Sequence, residues 1–199
     1  VPGLCVGNHI PSERIGTVFF NGIKRINNVA KSFRHLVSVF VEHKALYARK
    51  EEVPDDDDYL VPLGKARVHR EGTDVTIVTY SRMLFYAEEA ADELAAAGIE
   101  AEVIDLRTLS PMDTETVAAS VRKTGRAVAL SEAHNTAGMA AEIAARISEI
   151  AFDALAAPVL RIAAKDVPVP ATHLEKVSIP SPEEIYEKTR ELVRKGGTA

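Results

Sequence analysis

The sequence has one cysteine, Cys5, among its 199 residues, and it has no tryptophan. A single cysteine excludes an intrachain disulfide bond, so the sequence predicts a reducing, cytoplasmic compartment. No apolar run approaches the roughly 18 residues that a membrane-spanning helix needs. The net charge of −5 is too small to favour nucleic-acid binding. We therefore expect neither a nucleic acid nor a membrane as a partner.

Motifs that would mark a self-contained active site are also missing. The chain has neither of the glycine-rich phosphate-binding patterns, GxGxxG and GxxxxGK[ST]. It also lacks CxxC, HExxH and GxSxG, which are typical of redox sites, metal sites and serine hydrolases. A hydrophobic content of 46% is ordinary for a globular protein, so a packed core is expected.

From residue 74 onward the sequence alternates regularly between strand and helix patterns. Ser81 and Ser110 are the expected caps of two helices, and Gly98 and Gly125 their expected ends. The alternation predicts an α/β fold, a three-layer domain with a mostly parallel sheet flanked by helices. The predicted strands are residues 75–80, 101–106, 127–131 and 158–163, and the predicted helices are residues 83–97, 111–124, 138–155 and 182 onward.

The residues before 59 do not follow this alternation. Val37–Val41 is predicted as a strand, and residues 50–58, with four consecutive aspartates, as a solvated linker. No acidic residue occurs between positions 15 and 41, and apolar residues recur there at helical spacing. The pattern favours one amphipathic helix, and a nucleic-acid or membrane-surface helix is the alternative. The basic face of this amphipathic helix would carry Lys24, Arg25, Lys31 and Arg34.

Glu132, His134 and Asn135 are the candidate site residues, because they follow the predicted third strand. Open α/β sheets usually bind ligands beyond the carboxyl ends of their strands. A histidine with a carboxylate two residues away is a possible acid–base pair. The bland alternative is a loop histidine that bonds the backbone or lies at a subunit contact, and the residues alone favour it. The same judgement applies to His43 with Glu42.

Three stretches of the chain closely resemble one protein family. They are YLVPLGKARVHREGTDVTIVTYSRM (59–83), AGIEAEVIDLRTLSPMDTETVAASVRKTGRAVALSEAH (97–134) and APVLRIAAKDVPVP (157–170). The family is the beta subunit of the thiamine-diphosphate-dependent 2-oxo acid dehydrogenases, and the pyruvate dehydrogenase type is the nearest-looking member. The resemblance covers the transketolase-type C-terminal domain of that subunit, over residues 59–193.

The resemblance also implies a division of the chain. Residues 59–199 are expected to form the transketolase C-terminal-like domain. Residues 39–54 resemble the last strand and exit of the family's preceding pyrimidine-binding domain. Residues 1–58 are therefore interpreted as a remnant of that domain plus the acidic linker, and the chain as truncated at its N-terminus. Residues 5–38 diverge from the family, which a truncation, a frameshift or a divergent insert would each explain.

The function implied by the resemblance belongs to a whole complex. Such complexes oxidatively decarboxylate a 2-oxo acid on thiamine diphosphate and pass the acyl group to lipoyl groups, which makes the chain part of an oxidoreductase. The implied partners are an alpha subunit, a second beta subunit and the acyltransferase core. Thiamine diphosphate and Mg²⁺ are expected in the full complex, and neither is expected to be bound by this chain alone. The role expected of the fragment is subunit assembly and docking.

No catalytic, cofactor-binding or metal-binding residue is assigned to this chain, because the carboxylate that activates the cofactor lies upstream in the family. The isolated chain is thus expected to be inactive, and Glu132, His134 and Asn135 are candidates for an interface or the active-site entrance. The stretch from Asp105 to Asp113 is expected to be architectural. The alternatives are a catalytically silent stand-alone dimerisation or docking module, and the C-terminal domain of another transketolase-like enzyme.

Overall fold

The computed structural model of the chain describes residues 15–19, 37–50, 61–169 and 175–195. The strands within these ranges are β1 (Ile15–Phe19), β2 (Val37–Val41), β3 (Arg67–Arg70), β4 (Val75–Thr79), β5 (Ala101–Asp105), β6 (Thr108–Ser110), β7 (Ala127–His134) and β8 (Leu160–Ala164). The α-helices are α1 (Met83–Ala96), α2 (Thr114–Thr124), α3 (Met139–Ala151), α4 (Glu175–Ser178) and α5 (Pro182–Lys195). Short 3-10 turns occur at Lys44–Leu46 and Phe152–Ala154.

The larger sheet of the described residues has the strand order β3-β5-β4-β7-β8. Strands β4, β5, β7 and β8 run parallel to one another, with Val75 beside Ala101 and Val128 beside Leu160. Strand β3 pairs antiparallel with β5 at one edge. The prediction of a mostly parallel sheet is therefore confirmed.

Helices cover both faces of this sheet, which explains why side chains on both faces of its central strands are buried. Every residue of β4 is buried. On one face α1 and α5 contribute Leu84, Leu94 and Ile185 to the core. On the other face α2 and α3 contribute Val121 and Ile147. The predicted three-layer arrangement is confirmed, with the core on both sides of the sheet.

A smaller sheet has the strand order β2-β1-β6. The sequence predicts its strand β2, and the structure confirms it at Val37–Val41. Strand β1 pairs parallel with β2 and antiparallel with β6, and the sequence pattern predicts neither β1 nor β6 as a strand. Residues 15–19 and 37–41, at the two ends of the range with the helical pattern, are strands, and the basic residues of the predicted helix and the run of aspartates lie outside the described residues.

Two of the predicted helix starts are wrong. Ser81 does not cap α1, because its φ of 56° lies in the left-handed region and Arg82 occupies the N-cap position. Ser110 does not cap α2, because it is the last residue of strand β6, and its peptide bond to Pro111 is cis. Asp113, expected at the third helical position, is the N-cap of α2.

Asp113 joins the segment before β3 to the start of α2. Its buried carboxylate accepts hydrogen bonds from the Ala66 amide at 2.9 Å, the Thr116 amide at 3.2 Å and the Thr116 hydroxyl at 2.7 Å. Burial opposes ionisation, but the bonds from Thr116 and Ala66 outweigh it and lower the pKa of the Asp113 carboxyl. These contacts agree with the architectural role expected of this stretch.

We expect the substitution Asp113→Asn to lower the free energy of unfolding by about 1–2 kcal/mol at pH 7. The folded pKa lies below the unfolded value of about 3.9, so the contribution of the carboxylate is complete above that value. It is lost as the pH falls through the folded pKa. Urea unfolding at pH 7 and pH 3 should therefore show a smaller gap between wild type and variant at pH 3.

A matched control for this prediction is Glu115→Gln, which removes a neighbouring carboxylate whose side chain is 86% exposed. This change should alter the free energy of unfolding by less than about 0.5 kcal/mol. Equal effects of the two substitutions would contradict a special role for Asp113.

Candidate functional site

The carboxyl ends of β4 and β7 lie side by side, and the chain leaves them toward opposite faces of the sheet. Strand β4 leads into α1, which packs on one face, and β7 leads into α3, which packs on the other. In open α/β sheets the crevice at such a divergence is the usual ligand site. We call this region the central crevice and define it by Tyr80, Arg82, Ser131 and Glu132.

A buried pair of hydroxyl groups joins the two strand ends. The hydroxyl oxygens of Tyr80 and Ser131 are 2.8 Å apart, and both residues are buried. Burial raises the pKa of Tyr80, the hydrogen bond with Ser131 partly offsets this, and the charge of Glu132 adds to the rise. Tyr80 is therefore neutral near pH 7 and acts as a hydrogen-bonding group.

Glu132 is held between two basic side chains. Its carboxylate oxygen Oε1 lies 2.9 Å from His43 Nε2 and 3.6 Å from the guanidinium of Arg82. Arg82 also donates a hydrogen bond to the hydroxyl of Tyr86 at 2.8 Å. The Glu132 side chain is 23% exposed, so this pairing is only partly screened by water. The Glu132 carboxylate therefore links His43 and Arg82.

Sequence reasoning missed the part that His43 plays at this crevice. His43 and Glu132 are 89 residues apart in the chain, and no local pattern connects them. A pair of His43 with Glu42, which the sequence raised only as a possibility, is not what the structure shows: His43 bonds Glu132, and Glu42 accepts a hydrogen bond from Tyr47 at 2.8 Å. The one sequence signal is that His43 follows shortly after the predicted strand β2.

His134 and Asn135 make different contacts from Glu132. The predicted loop begins too early, because β7 continues to His134, which lies beside Ala164 of β8. The exposed His134 ring bonds the carbonyl oxygen of Val167 at 2.9 Å. The Asn135 amide donates to the carbonyl of Ala164 at 2.9 Å, and its own carbonyl accepts from Arg161 at 3.2 Å. The described bonds thus show a histidine bonded to backbone, the bland alternative.

The described part of the chain shows no cluster of side chains suited to a metal ion. Within it, no three His, Cys, Asp or Glu side chains are grouped closely enough to hold a metal. At the central crevice, Glu132 is already paired with His43 and Arg82. We therefore derive no chemical step through thiamine diphosphate on these residues.

Among the described helices, none is both long and apolar enough to cross a membrane.

Comparison with known proteins defines the class of this domain. Residues 64–185 match the family described as "Transketolase, C-terminal domain". The chain belongs to this family. In agreement, a solved structure of a "Split gene transketolase, inactive beta4 tetramer" superposes with a TM-score of 0.72 and 26% sequence identity. The superposition covers 91% of this chain and 58% of that one.

Curated relatives narrow the similarity to one kind of subunit. The "Pyruvate dehydrogenase E1 component subunit beta" of Rhizobium meliloti is 46% identical over 158 residues, which are 79% of this chain and 34% of that protein. The subunit of the same name from Bacillus subtilis is 47% identical over 156 residues, which are 78% of this chain and 48% of that protein. The resemblance to these beta subunits is confirmed, and the chain spans a third to a half of their length.

Proposed function

We propose that this chain is the assembly and docking portion of a pyruvate dehydrogenase E1 beta subunit. The observation that carries the proposal is the 46–47% identity to two such subunits over more than three quarters of the chain. The activity of the whole complex would be thiamine-diphosphate-dependent oxidative decarboxylation of pyruvate, with transfer of the acyl group to lipoyl groups. The chain would contribute to it through its contacts and not through catalytic side chains.

The proposed partners are an alpha subunit, a second beta subunit and the acyltransferase core. The name of the relatives, an E1 component with a beta subunit, supports assembly with other subunits. The related transketolase structure, a tetramer of beta chains, supports contact between copies. We propose that thiamine diphosphate and Mg²⁺ are held by the alpha subunit and by the upstream half of a beta subunit. Residues 59–199 remain the proposed domain, and the family match lies inside them.

A second candidate is a stand-alone, catalytically silent dimerisation or docking module. The related transketolase supports it, since that protein comes from a split gene and its beta tetramer is described as inactive. In either case Glu132, His134 and Asn135 are proposed to lie at an interface or at the active-site entrance. A cytoplasmic location stays a prediction from the single cysteine.

The test is a transplant into the Bacillus subtilis beta subunit. Residues 61–195 of this chain replace the matching region of that subunit, and the product is combined with its alpha subunit. We expect pyruvate oxidation that depends on thiamine diphosphate, and no turnover by the present chain alone. The same beta subunit with the region deleted is the control. A folded chimaera that binds the alpha subunit without turnover would contradict the first candidate, and turnover by the chain alone would contradict both.

A further inference from the structure

Residues 43–49, which we call the strap, reach the central crevice from the end of strand β2. His43 bonds Glu132 at 2.9 Å. Leu46 is buried, with 6% of its surface exposed. The Arg49 guanidinium lies 3.5 Å from the centroid of the Phe85 ring on α1, a close cation–π contact. The strap thus contacts the crevice through His43 and the neighbouring helix α1 through Arg49, and Leu46 between them in sequence is buried.

The backbone of the strap is bonded mainly to itself. Its described backbone hydrogen bonds are short-range turns, from the Leu46 amide to His43, from Tyr47 to Lys44 and from Arg49 to Leu46. None of the described backbone hydrogen bonds joins the strap to the five-stranded sheet. Segments with so few external bonds open locally at far lower cost than the core does.

We propose that the strap is a lid over the central crevice, closed in the structure and able to open while the sheet stays folded. Arg82, 3.6 Å from Glu132, provides a second partner for that carboxylate. The departure of His43 therefore does not leave the Glu132 carboxylate without a partner, which is the usual obstacle to breaking a contact with a partly buried charge. Opening costs one side-chain hydrogen bond, one cation–π contact and the burial of Leu46.

An open lid would present polar groups at the place where α/β sheets bind ligands. The groups are the carboxylate of Glu132 and the guanidinium of Arg82, next to the uncovered ring of Phe85. Because the strap begins two residues after β2 ends at Val41, a displacement of β2 would pull on His43 directly. The lid therefore couples the upstream strand to the crevice, and this inference does not depend on the proposed function.

Amide hydrogen exchange on the full chain tests the lid. The reporters are the amides of Leu46, Tyr47 and Arg49, and the amides of β4 and β5 are the reference. In the wild type the reporters should exchange faster than the reference. We expect Glu132→Ala to accelerate the reporters about 10-fold, as for loss of a hydrogen bond to a charged group, and to leave the reference unchanged. Arg49→Ala should accelerate them about threefold.

The matched control is Glu142→Ala, which removes an exposed carboxylate from α3 where it pairs with Arg146 at 2.9 Å. It should change none of the reporter rates. The lid is refuted if Glu132→Ala leaves the reporters unchanged, or if reporters and reference exchange together in the wild type. If Glu132→Ala also accelerates amide exchange in β4 and β5, the Arg49→Ala variant decides. A lid requires that Arg49→Ala accelerate exchange of the reporter amides and not of the reference amides.

Discussion

Replacing Gly72 by alanine is expected to lower the free energy of unfolding by about 3 kcal/mol. A Cβ atom at this position would lie 2.3 Å from the carbonyl carbon of Ala101 and 2.3 Å from the amide nitrogen of Glu102. Both are backbone atoms of β5, which has β3 on one side and β4 on the other. Strand β5 therefore cannot move away from Gly72 without breaking hydrogen bonds to β3 or β4.

The turn that contains Gly72 is also fixed in place. The amides of Thr73 and Asp74 both donate to the carbonyl of Glu100 at 2.9 Å, and the Gly72 amide donates to the Glu102 carboxylate at 3.3 Å. A shift that relieved the clash would weaken these bonds as well. The clash therefore cannot be absorbed by a local movement.

Gly98→Ala provides the matched comparison for this prediction. A Cβ atom at Gly98 would have no atom within 4 Å, so the cost is limited to its left-handed φ of +80°, about 1 kcal/mol. Urea unfolding followed by circular dichroism measures both variants. If Gly72→Ala lowers the free energy of unfolding no more than Gly98→Ala does, the prediction is wrong, and β5 moves aside more easily than its pairing on both edges suggests.

The features that depended on neighbouring residues were predictable from sequence. The buried runs of the central strands and the alternation with helices give the layered fold directly. Gly125 ends α2 with a φ of 69°, as a glycine at that position should. Ser181 accepts a hydrogen bond from the Glu184 amide at 3.2 Å, close to the predicted start of the last helix. In each case the deciding interactions lie within one helical turn.

The features that depended on distant residues were not predictable. Ser110 and Asp113 are both good N-cap residues, and the choice between them involves the Ala66 amide, 47 residues away, which bonds the Asp113 carboxylate. The central crevice poses the same problem, because His43 bonds Glu132 from the turn that follows β2 of the smaller sheet. Sequence placed Glu132 near the correct strand end, and the partners that define its role follow only from the packed fold.

The substitution Lys123→Met is also expected to lower the free energy of unfolding by about 3 kcal/mol, because it leaves a buried carboxylate without its cationic partner. The side chain of Glu102 is 2% exposed, and it is paired with the Lys123 ammonium on the last turn of α2. It also accepts a hydrogen bond from the Gly72 amide at 3.3 Å. Methionine keeps the length of the apolar stem, so the loss reports mainly on the missing charge. Urea unfolding at pH 7 is the measurement.

A double-mutant cycle separates this effect from lost packing. Glu102→Gln combined with Lys123→Met should recover most of the stability, because a buried amide is far cheaper than an unpaired carboxylate. Glu71→Gln removes the exposed partner of the same lysine, 2.9 Å away and 79% exposed, and should cost less than about 0.5 kcal/mol. An additive cycle would show that Glu102 and Lys123 do not act as a pair.

The pH dependence of this pair has a definite sign. Hydrogen bonds to Glu102 and Glu71 raise the pKa of the Lys123 amine above its ordinary value. The stability that the charged amine contributes is therefore complete below the unfolded pKa of about 10.4 and is lost as the pH rises through the folded pKa. The difference in the free energy of unfolding between wild type and Lys123→Met should therefore shrink as the pH rises above about 10.4. A difference that stays constant from pH 7 to pH 11 would contradict a contribution from the charged amine, because that contribution must fall as the amine loses its proton.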